Sequence, residues 1–88
     1  MLSNMSKTPK PMSAREVFAR NLRQTRRLKD LSQEALALQA GLSRTYLSEV
    51  ERGTRNIAID NMGLLAETLG VPLSELVSPS AFKVIGKG

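Results

Sequence analysis

Two short helical patterns separated by a three-residue connection constrain this chain more than any other feature. The patterns cover residues 33–40 and 44–52, and only Gly41, Leu42 and Ser43 lie between them. Gly41 is a typical helix stop and Ser43 a typical helix cap, so the chain must turn directly from one helix into the next. A glycine-containing turn this short predicts that the two helices cross steeply.

Three further helical segments flank this pair. Ser13 and Glu16 have the spacing of a capping box, which begins a helix that runs to about residue 29. A fourth helix is predicted over residues 58–69, and Pro72 opens a fifth. The predicted core faces of the first and fourth helices are Ala14, Phe18, Leu22 and Thr25, and Ile59, Met62, Ala66 and Leu69. No strand-like alternation is long enough to build a sheet, so the sequence predicts a compact all-α fold of five helices.

Composition excludes several classes of function. The chain has neither Cys nor His, which excludes thiolate chemistry, disulfides, the common zinc sites and catalysis by histidine. We therefore expect a protein that is not an enzyme and that uses no metal or cofactor. The sequence shows no secretory signal and no apolar stretch long enough to span a membrane, which predicts a cytoplasmic protein.

Charge is distributed unevenly along the chain. The formal net charge is +5, and residues 1–55 hold 11 of the 13 Lys and Arg but 5 of the 8 Asp and Glu. Because nucleic-acid phosphates are attracted to positive surfaces, this part is expected to bind nucleic acid. The near-neutral remainder is then free for self-association.

Three segments are predicted along the chain. Residues 1–12 lack any hydrophobic period and contain two prolines, which is typical of a flexible arm. Residues 13–78 contain all five helical patterns and are predicted to form the single domain. Residues 79–88 are predicted to be a C-terminal tail.

Two stretches of sequence carry a resemblance to a known family. LSQEALALQAGLSRTYLSEVERG at residues 31–53 and LLAETLGVPLSEL at residues 64–76 resemble phage repressor/Cro regulators, the XRE-type helix-turn-helix proteins. The residues that carry the motif are Ser32, Gln33, Ala37, Gly41, Leu47, Glu51 and Gly53. RTYLSEVERGTRN is further similar to the controller proteins of restriction-modification systems, which are small dimeric regulators. The resemblance implies a lambda-repressor-like domain that binds a palindromic operator.

Two positions depart from the family pattern. Thr25 stands where an apolar residue is usual, and Ala58 stands where Ser or Thr often caps the fourth helix. An alanine cannot accept a hydrogen bond from the helix amides, so the fourth helix is expected to begin less stably. Neither departure falls on the residues predicted to face DNA.

The third helix presents two different faces. At about 100° per residue, Tyr46, Leu47 and Val50 cluster on one side, which is predicted to dock on the core. The other side is polar, and residues early in such a helix reach base edges in the major groove. Base contacts are therefore predicted for Arg44, Thr45, Ser48 and Glu49. Arg44 suits guanine and Glu49 suits cytosine, which indicates a G·C-containing half-site; the alternative is an ordinary solvated face.

Phosphate contacts are predicted around this helix. They are assigned to Gln33, Ser43, Arg52, Arg55 and Asn56. The resemblance implies a backbone clamp at Gln33, through its side chain or main-chain amide at the positive end of a helix dipole. The alternative for Gln33 is an ordinary residue at a helix start. The resemblance also implies phosphates near Arg55 and Asn56, for which the alternative is a solvated loop. On the first helix, Arg20, Arg23 and Arg27 lie opposite the apolar face. Arg23 and Arg27 are interpreted as a solvated face; the alternative is that they contact phosphates.

Glu51 has a different predicted role, because it lies beside the docking face. A carboxylate there needs a partner. The family pattern pairs it with an arginine near the end of the first helix, which is Arg26 here. The resemblance therefore implies a partly buried ion pair that fixes the third helix against the first.

A homodimer is expected, since one recognition helix reads too few base pairs to discriminate in a genome. The predicted interface is Leu64, Leu73, Leu76, Val77 and Phe82. The alternative is that Leu64 packs against its own tail. A second class of function also remains open, namely an antitoxin or adaptor of the same fold whose main role is to bind a protein partner.

Overall fold

The computed structural model describes residues 11–80, which form five α-helices and no strand. The helices are α1 (Ala14–Leu28), α2 (Gln33–Ala40), α3 (Arg44–Glu51), α4 (Ile59–Leu69) and α5 (Leu73–Val77). The predicted all-α architecture is confirmed. Most of the predicted arm and the tail from residue 81, Phe82 included, lie outside the described residues. None of the described helices is long and apolar enough to cross a membrane.

Serine side chains cap the first three helices, as the sequence predicted. The Ser13 hydroxyl accepts from the Glu16 amide at 3.1 Å, and the Glu16 carboxylate accepts from the Ser13 amide at 2.9 Å. Ser32 and Ser43 each accept from the amide three residues on, at 3.0 Å. Ala58 precedes α4 without a side-chain cap, as expected. The connections on both sides of α2 are thereby short and well defined.

The two turns around α2 use backbone conformations of positive φ. Gly41 ends α2 at φ 73°, a left-handed conformation that glycine adopts without steric cost. The following amide, of Leu42, donates to the carbonyl of Ala37 at 2.9 Å and closes the turn. Asp30 adopts φ 58° between α1 and α2, in keeping with the tolerance of Asp for this region. The turn at Gly41 fixes the angle at which α3 leaves α2, and the turn at Asp30 fixes the angle at which α2 leaves α1.

One hydrophobic core joins all five helices. Its largest buried side chains include Phe18, Leu22, Leu36, Leu47, Leu65 and Leu76. Two predicted core positions are wrong: Ala14 is exposed, and 63% of Ile59 is exposed. Each stands at the first position of its helix, where the packed layer ends. On α4 the buried residues are instead Leu65, Ala66 and Leu69.

One residue of α5 that was predicted to lie in the dimer interface, Leu76, lies in the core instead. Leu76 is completely buried in the core of its own chain, so it has no surface to offer a second subunit. Its neighbour Val77 is 44% exposed. Leu64 and Leu73 are half-buried against the core and keep part of their surface. The short α5 therefore uses one side chain to dock and leaves another on the surface.

Polar side chains of α1 hold the end of α5. Asn21 is completely buried and donates through Nδ2 to the carbonyls of Leu76 at 3.1 Å and Ser78 at 2.8 Å. Arg20 donates to the carbonyl of Pro79 at 2.9 Å and to the Asn21 side-chain oxygen. Arg20, which the sequence placed opposite the apolar face of α1, is thus half-buried and bound to the residues that follow α5. Carbonyl groups at a helix end lack hydrogen-bond donors within the helix, and the Asn21 side chain acts as the donor here.

Candidate nucleic-acid interface

The third helix separates a docking face from an outer face, as the sequence predicted. Leu47 and Val50 are buried in the core. Arg44 and Thr45, at the start of α3, are exposed, and Ser48 is half-buried on the same outer side. Because α2 and the core hold the inner face, the first turn of α3 is free to meet another molecule.

A polar recess of about 240 Å³ lies between the start of α2 and the outer face of α3. Its lining consists of Gln33, Arg44, Thr45, Ser48 and Arg52. All five are predicted DNA contacts, and they come from two separate segments of the sequence. The fold therefore brings predicted base readers and predicted phosphate ligands to one surface.

The ion pair that the resemblance implied is present and well buried. Arg26 Nε lies 2.6 Å from Glu51 Oε2, and Arg26 Nη2 lies 2.9 Å from Glu51 Oε1. The side chains are 10% and 2% exposed. Arg26 also donates to the carbonyl of Leu31 at 2.8 Å. This bidentate pair ties α3 to the end of α1 and to the connection before α2.

Gln33 joins this network through its side chain. Its Nε2 donates to Glu51 Oε1 at 3.0 Å, so the side-chain amide is already engaged. The main-chain amide at the start of α2 is the group of Gln33 better placed to meet a phosphate, since the first amides of a helix have no partner within it. The side chain instead fixes the start of α2 against α3.

Arg23 has a role that the sequence did not reveal. Its Nη1 donates to the main-chain carbonyl of Glu51 at 2.7 Å, at the end of α3. Its assignment to a solvated face is therefore wrong. A cation at a helix C-terminus also interacts favourably with the helix dipole. Arg23 thus holds the C-terminal end of α3 against α1.

The outer face of α3 contains a second set of contacts, between predicted DNA contacts themselves. Arg52 Nη1 donates to Ser48 Oγ at 2.9 Å. Arg55 Nη1 lies 2.9 Å from Glu49 Oε1, and its guanidinium lies 4.9 Å from the centroid of the Tyr46 ring. Asn56 is exposed in the same loop. The spacing of these residues in the sequence predicted which face of α3 each one lies on. It did not predict that Arg52 binds Ser48 or that Arg55 binds Glu49.

The described residues hold no group of three or more His, Cys, Asp or Glu side chains that could bind a metal ion. The chemistry available at the outer face of α3 is hydrogen bonding and charge. Its donors are the guanidinium groups of Arg44 and Arg52, and its small hydroxyls are those of Thr45 and Ser48. Such groups bind base edges and phosphates.

Comparison with known proteins places this architecture in a family. A helix-turn-helix family model matches residues 22–76. Control protein C.BamHI of Bacillus amyloliquefaciens is 42% identical over 73 residues, which cover 82% of this chain and 86% of that protein. The crystal structure of a hypothetical transcription factor from Neisseria is similar with a TM-score of 0.78 and 43% identity, over 88% of each chain.

A solved complex extends the comparison to DNA. It contains the controller protein C.Esp1396I as a tetramer with its natural 35 base-pair operator, and the protein is 28% identical to this chain with a TM-score of 0.66. The match covers 86% of this chain and 93% of that one. The relatives are thus regulators and not enzymes. This chain belongs to the helix-turn-helix family of transcription regulators, and controller proteins of restriction-modification systems are among its relatives.

Proposed function

We propose that this protein is a transcription regulator that binds a palindromic operator as a homodimer and places α3 in the major groove. The observation that carries this proposal is the recess beside α3, where five predicted DNA contacts from two segments share one surface. The related controller protein C.Esp1396I forms a complex with its natural operator, which supports operator binding by this chain. A regulator of this kind acts in the compartment that holds the DNA, so the cytoplasmic assignment follows from the proposal.

Arg44 and Thr45 are the proposed principal base readers. Both are exposed at the first turn of α3, where a recognition helix comes nearest to the base edges. A guanidinium can donate two hydrogen bonds to O6 and N7 of guanine, and a threonine offers both a methyl and a hydroxyl group. Ser48 and Glu49, one turn further on, are proposed to contact the neighbouring bases.

Phosphates are proposed to bind around these readers. The main-chain amide of Gln33 and the start of α3 at Ser43 present helix N-termini, where anions are favoured. Arg52 and the loop residues Arg55 and Asn56 are exposed beyond the other end of α3. Contacts on both sides of α3 would fix its register without reading sequence.

The proposed dimer interface consists of Leu64, Leu73 and Val77, with Phe82 beyond the described residues. Val77 is the most exposed of the described three. A two-fold axis through this region would place two α3 helices on successive major-groove half-sites. Sedimentation equilibrium tests this point, because it gives twice the chain mass if the proposal is correct.

The relatives also narrow the biological setting. The similarity to control proteins supports a role in regulating a restriction-modification system. Neighbouring methyltransferase and nuclease genes would support this role, whereas a neighbouring toxin gene would favour the antitoxin alternative. In that alternative the main partner is a protein, and the same α3 face would serve autoregulation.

DNA selection tests the proposed function. Wild type, Arg44→Ala/Thr45→Ala and the exposed control Arg15→Ala are titrated by fluorescence anisotropy against a pool of upstream fragments at two salt concentrations. Wild type and the control should select one palindromic fragment, and the double variant should keep only weak, salt-sensitive binding. If wild type selects no fragment, or if the double variant selects as well as wild type, α3 does not read bases.

A further inference from the structure

Two predicted DNA contacts, Glu49 and Arg55, hold each other. Arg55 Nη1 lies 2.9 Å from Glu49 Oε1, and the same guanidinium lies over the Tyr46 ring, 4.9 Å from its centroid. The Tyr46 hydroxyl accepts from Asn61 Nδ2 at 3.0 Å, which orients the ring. A carboxylate and an aromatic face thus retain the Arg55 side chain against α3.

The loop that carries Arg55 is fixed beside Glu49. The amide and the hydroxyl of Thr54 both donate to the Glu49 carbonyl at 3.1 Å. The backbone next to Arg55 is therefore anchored to the same residue whose carboxylate binds Arg55. A change of partner at Arg55 requires only that side chains rotate, because the loop need not move.

The pair is exposed enough to exchange partners. The Arg55 side chain is 49% exposed and that of Glu49 is 32% exposed. Exposed ion pairs are weak, since water competes for both members. A stronger local partner for either side chain can therefore separate them.

While they are paired, the two charges largely cancel toward DNA. If Arg55 left for a phosphate, the Glu49 carboxylate would face the DNA backbone without a partner, and like charges repel. A base can supply the missing donor, because the N4 amino group of cytosine donates in the major groove and a carboxylate accepts from it. The exchange is thus favourable only where that base lies under Glu49.

We propose that Glu49 determines specificity by withholding Arg55 from phosphates until the Glu49 carboxylate accepts a cytosine amino group. This inference rests on the proposed function. On non-specific DNA the pair stays closed, and Arg55 adds no phosphate contact. On the operator the pair opens in each subunit, and each Arg55 adds one phosphate contact. Discrimination then arises from a phosphate contact that only the correct base releases.

The salt dependence of binding measures this exchange, because each phosphate contact contributes about −0.9 to the slope of log K against log salt. Wild type, Arg55→Ala, Glu49→Ala and the double variant are titrated with the fragment that wild type selects and with a shuffled fragment of equal length. Arg15→Ala and Glu75→Ala are the controls, since both residues are exposed on helices other than α3.

A homodimer carries two Arg55 side chains, so Arg55→Ala should reduce the magnitude of the slope by about 1.8 on the selected fragment and by almost nothing on the shuffled one. In the Glu49→Ala background, it should reduce the slope on both. Replacing the C·G pair under Glu49 in both half-sites should abolish the contribution of Arg55, and replacing it in one half-site should halve that contribution. An equal reduction on both fragments with Glu49 present, or none on either, would overturn the inference. Loss of all selection by wild type would instead overturn the proposed function, and this inference with it.

Discussion

Glu49 and Glu51 stand two residues apart on α3, and each binds an arginine, yet the two pairs differ in almost every physical respect. The Glu51 pair with Arg26 is bidentate, and its side chains are 2% and 10% exposed. The Glu49 pair with Arg55 has one short contact, and its side chains are 32% and 49% exposed. A glutamate–arginine pair therefore anchors α3 in the fold on one side, whereas on the other side a similar pair remains free to exchange partners.

The difference follows from the cost of burying charge. Removing one member of a buried pair leaves the other charge without solvent or partner, which is costly. Removing one member of an exposed pair leaves a charge that water can hydrate. The comparison predicts that substitutions of Glu51 act on folding, and that substitutions of Glu49 act on DNA binding.

The largest effect is expected for Glu51→Ala. It strands the buried Arg26 guanidinium and should lower the free energy of unfolding by about 3–5 kcal/mol. Urea denaturation followed by circular dichroism measures this change. Arg26→Met/Glu51→Leu removes both charges and should recover most of the loss. A decrease below about 1 kcal/mol for Glu51→Ala would mean that the pair is not the anchor of α3.

The second-largest loss of stability is expected for Leu76→Ala, and the neighbouring Val77 provides the contrast. Leu76→Ala opens a cavity in the core and should cost about 2–5 kcal/mol of unfolding free energy. Val77→Ser should change folding far less, because Val77 is 44% exposed. It should instead raise the dissociation constant of the dimer, measured by sedimentation equilibrium. Unchanged dimerisation in Val77→Ser would remove this residue from the proposed interface.

Asn21→Ala tests whether buried polar contacts other than ion pairs also anchor the fold. The substitution leaves the carbonyls of Leu76 and Ser78 without their donor, and we expect a loss of about 1–3 kcal/mol. Gln39→Ala, on the exposed side of α2, is the matched control. Equal stabilities of the two variants, measured by urea denaturation, would show that α5 does not need Asn21.

The smallest effect on stability is expected for Glu49→Ala. Since the pair with Arg55 is exposed, the free energy of unfolding should change by less than about 0.5 kcal/mol. Thermal unfolding beside wild type checks this value. A loss as large as that of Glu51→Ala would erase the contrast between the two pairs.

Local sequence signals predicted much of this structure. Ser13, Ser32 and Ser43 cap helices as their spacing indicated, and Gly41 ends α2 as expected. Caps depend on atoms a few residues apart, so sequence spacing is sufficient to locate them. The Arg26–Glu51 pair followed from the resemblance to a family and not from local spacing.

The errors arose where distant segments meet. Asn21 donates to Leu76, which is 55 residues away, and Arg23 to Glu51, which is 28 residues away. Helical periodicity gives the faces of each helix but not the segment that covers each face. The same limit explains why Leu76 was assigned to an interface and Ile59 to the core. The proposed base contacts stay predictions for the same reason, because their partner is another molecule.

The reading of guanine by Arg44 on α3 is tested most directly by dimethyl sulfate protection of guanine N7. Wild-type protein bound to its selected fragment should protect one guanine in each half-site, symmetrically about the centre of the fragment. Arg44→Ala, bound at a concentration that gives equal occupancy, should leave those two guanines reactive. Identical protection by wild type and Arg44→Ala would contradict the reading of guanine by Arg44.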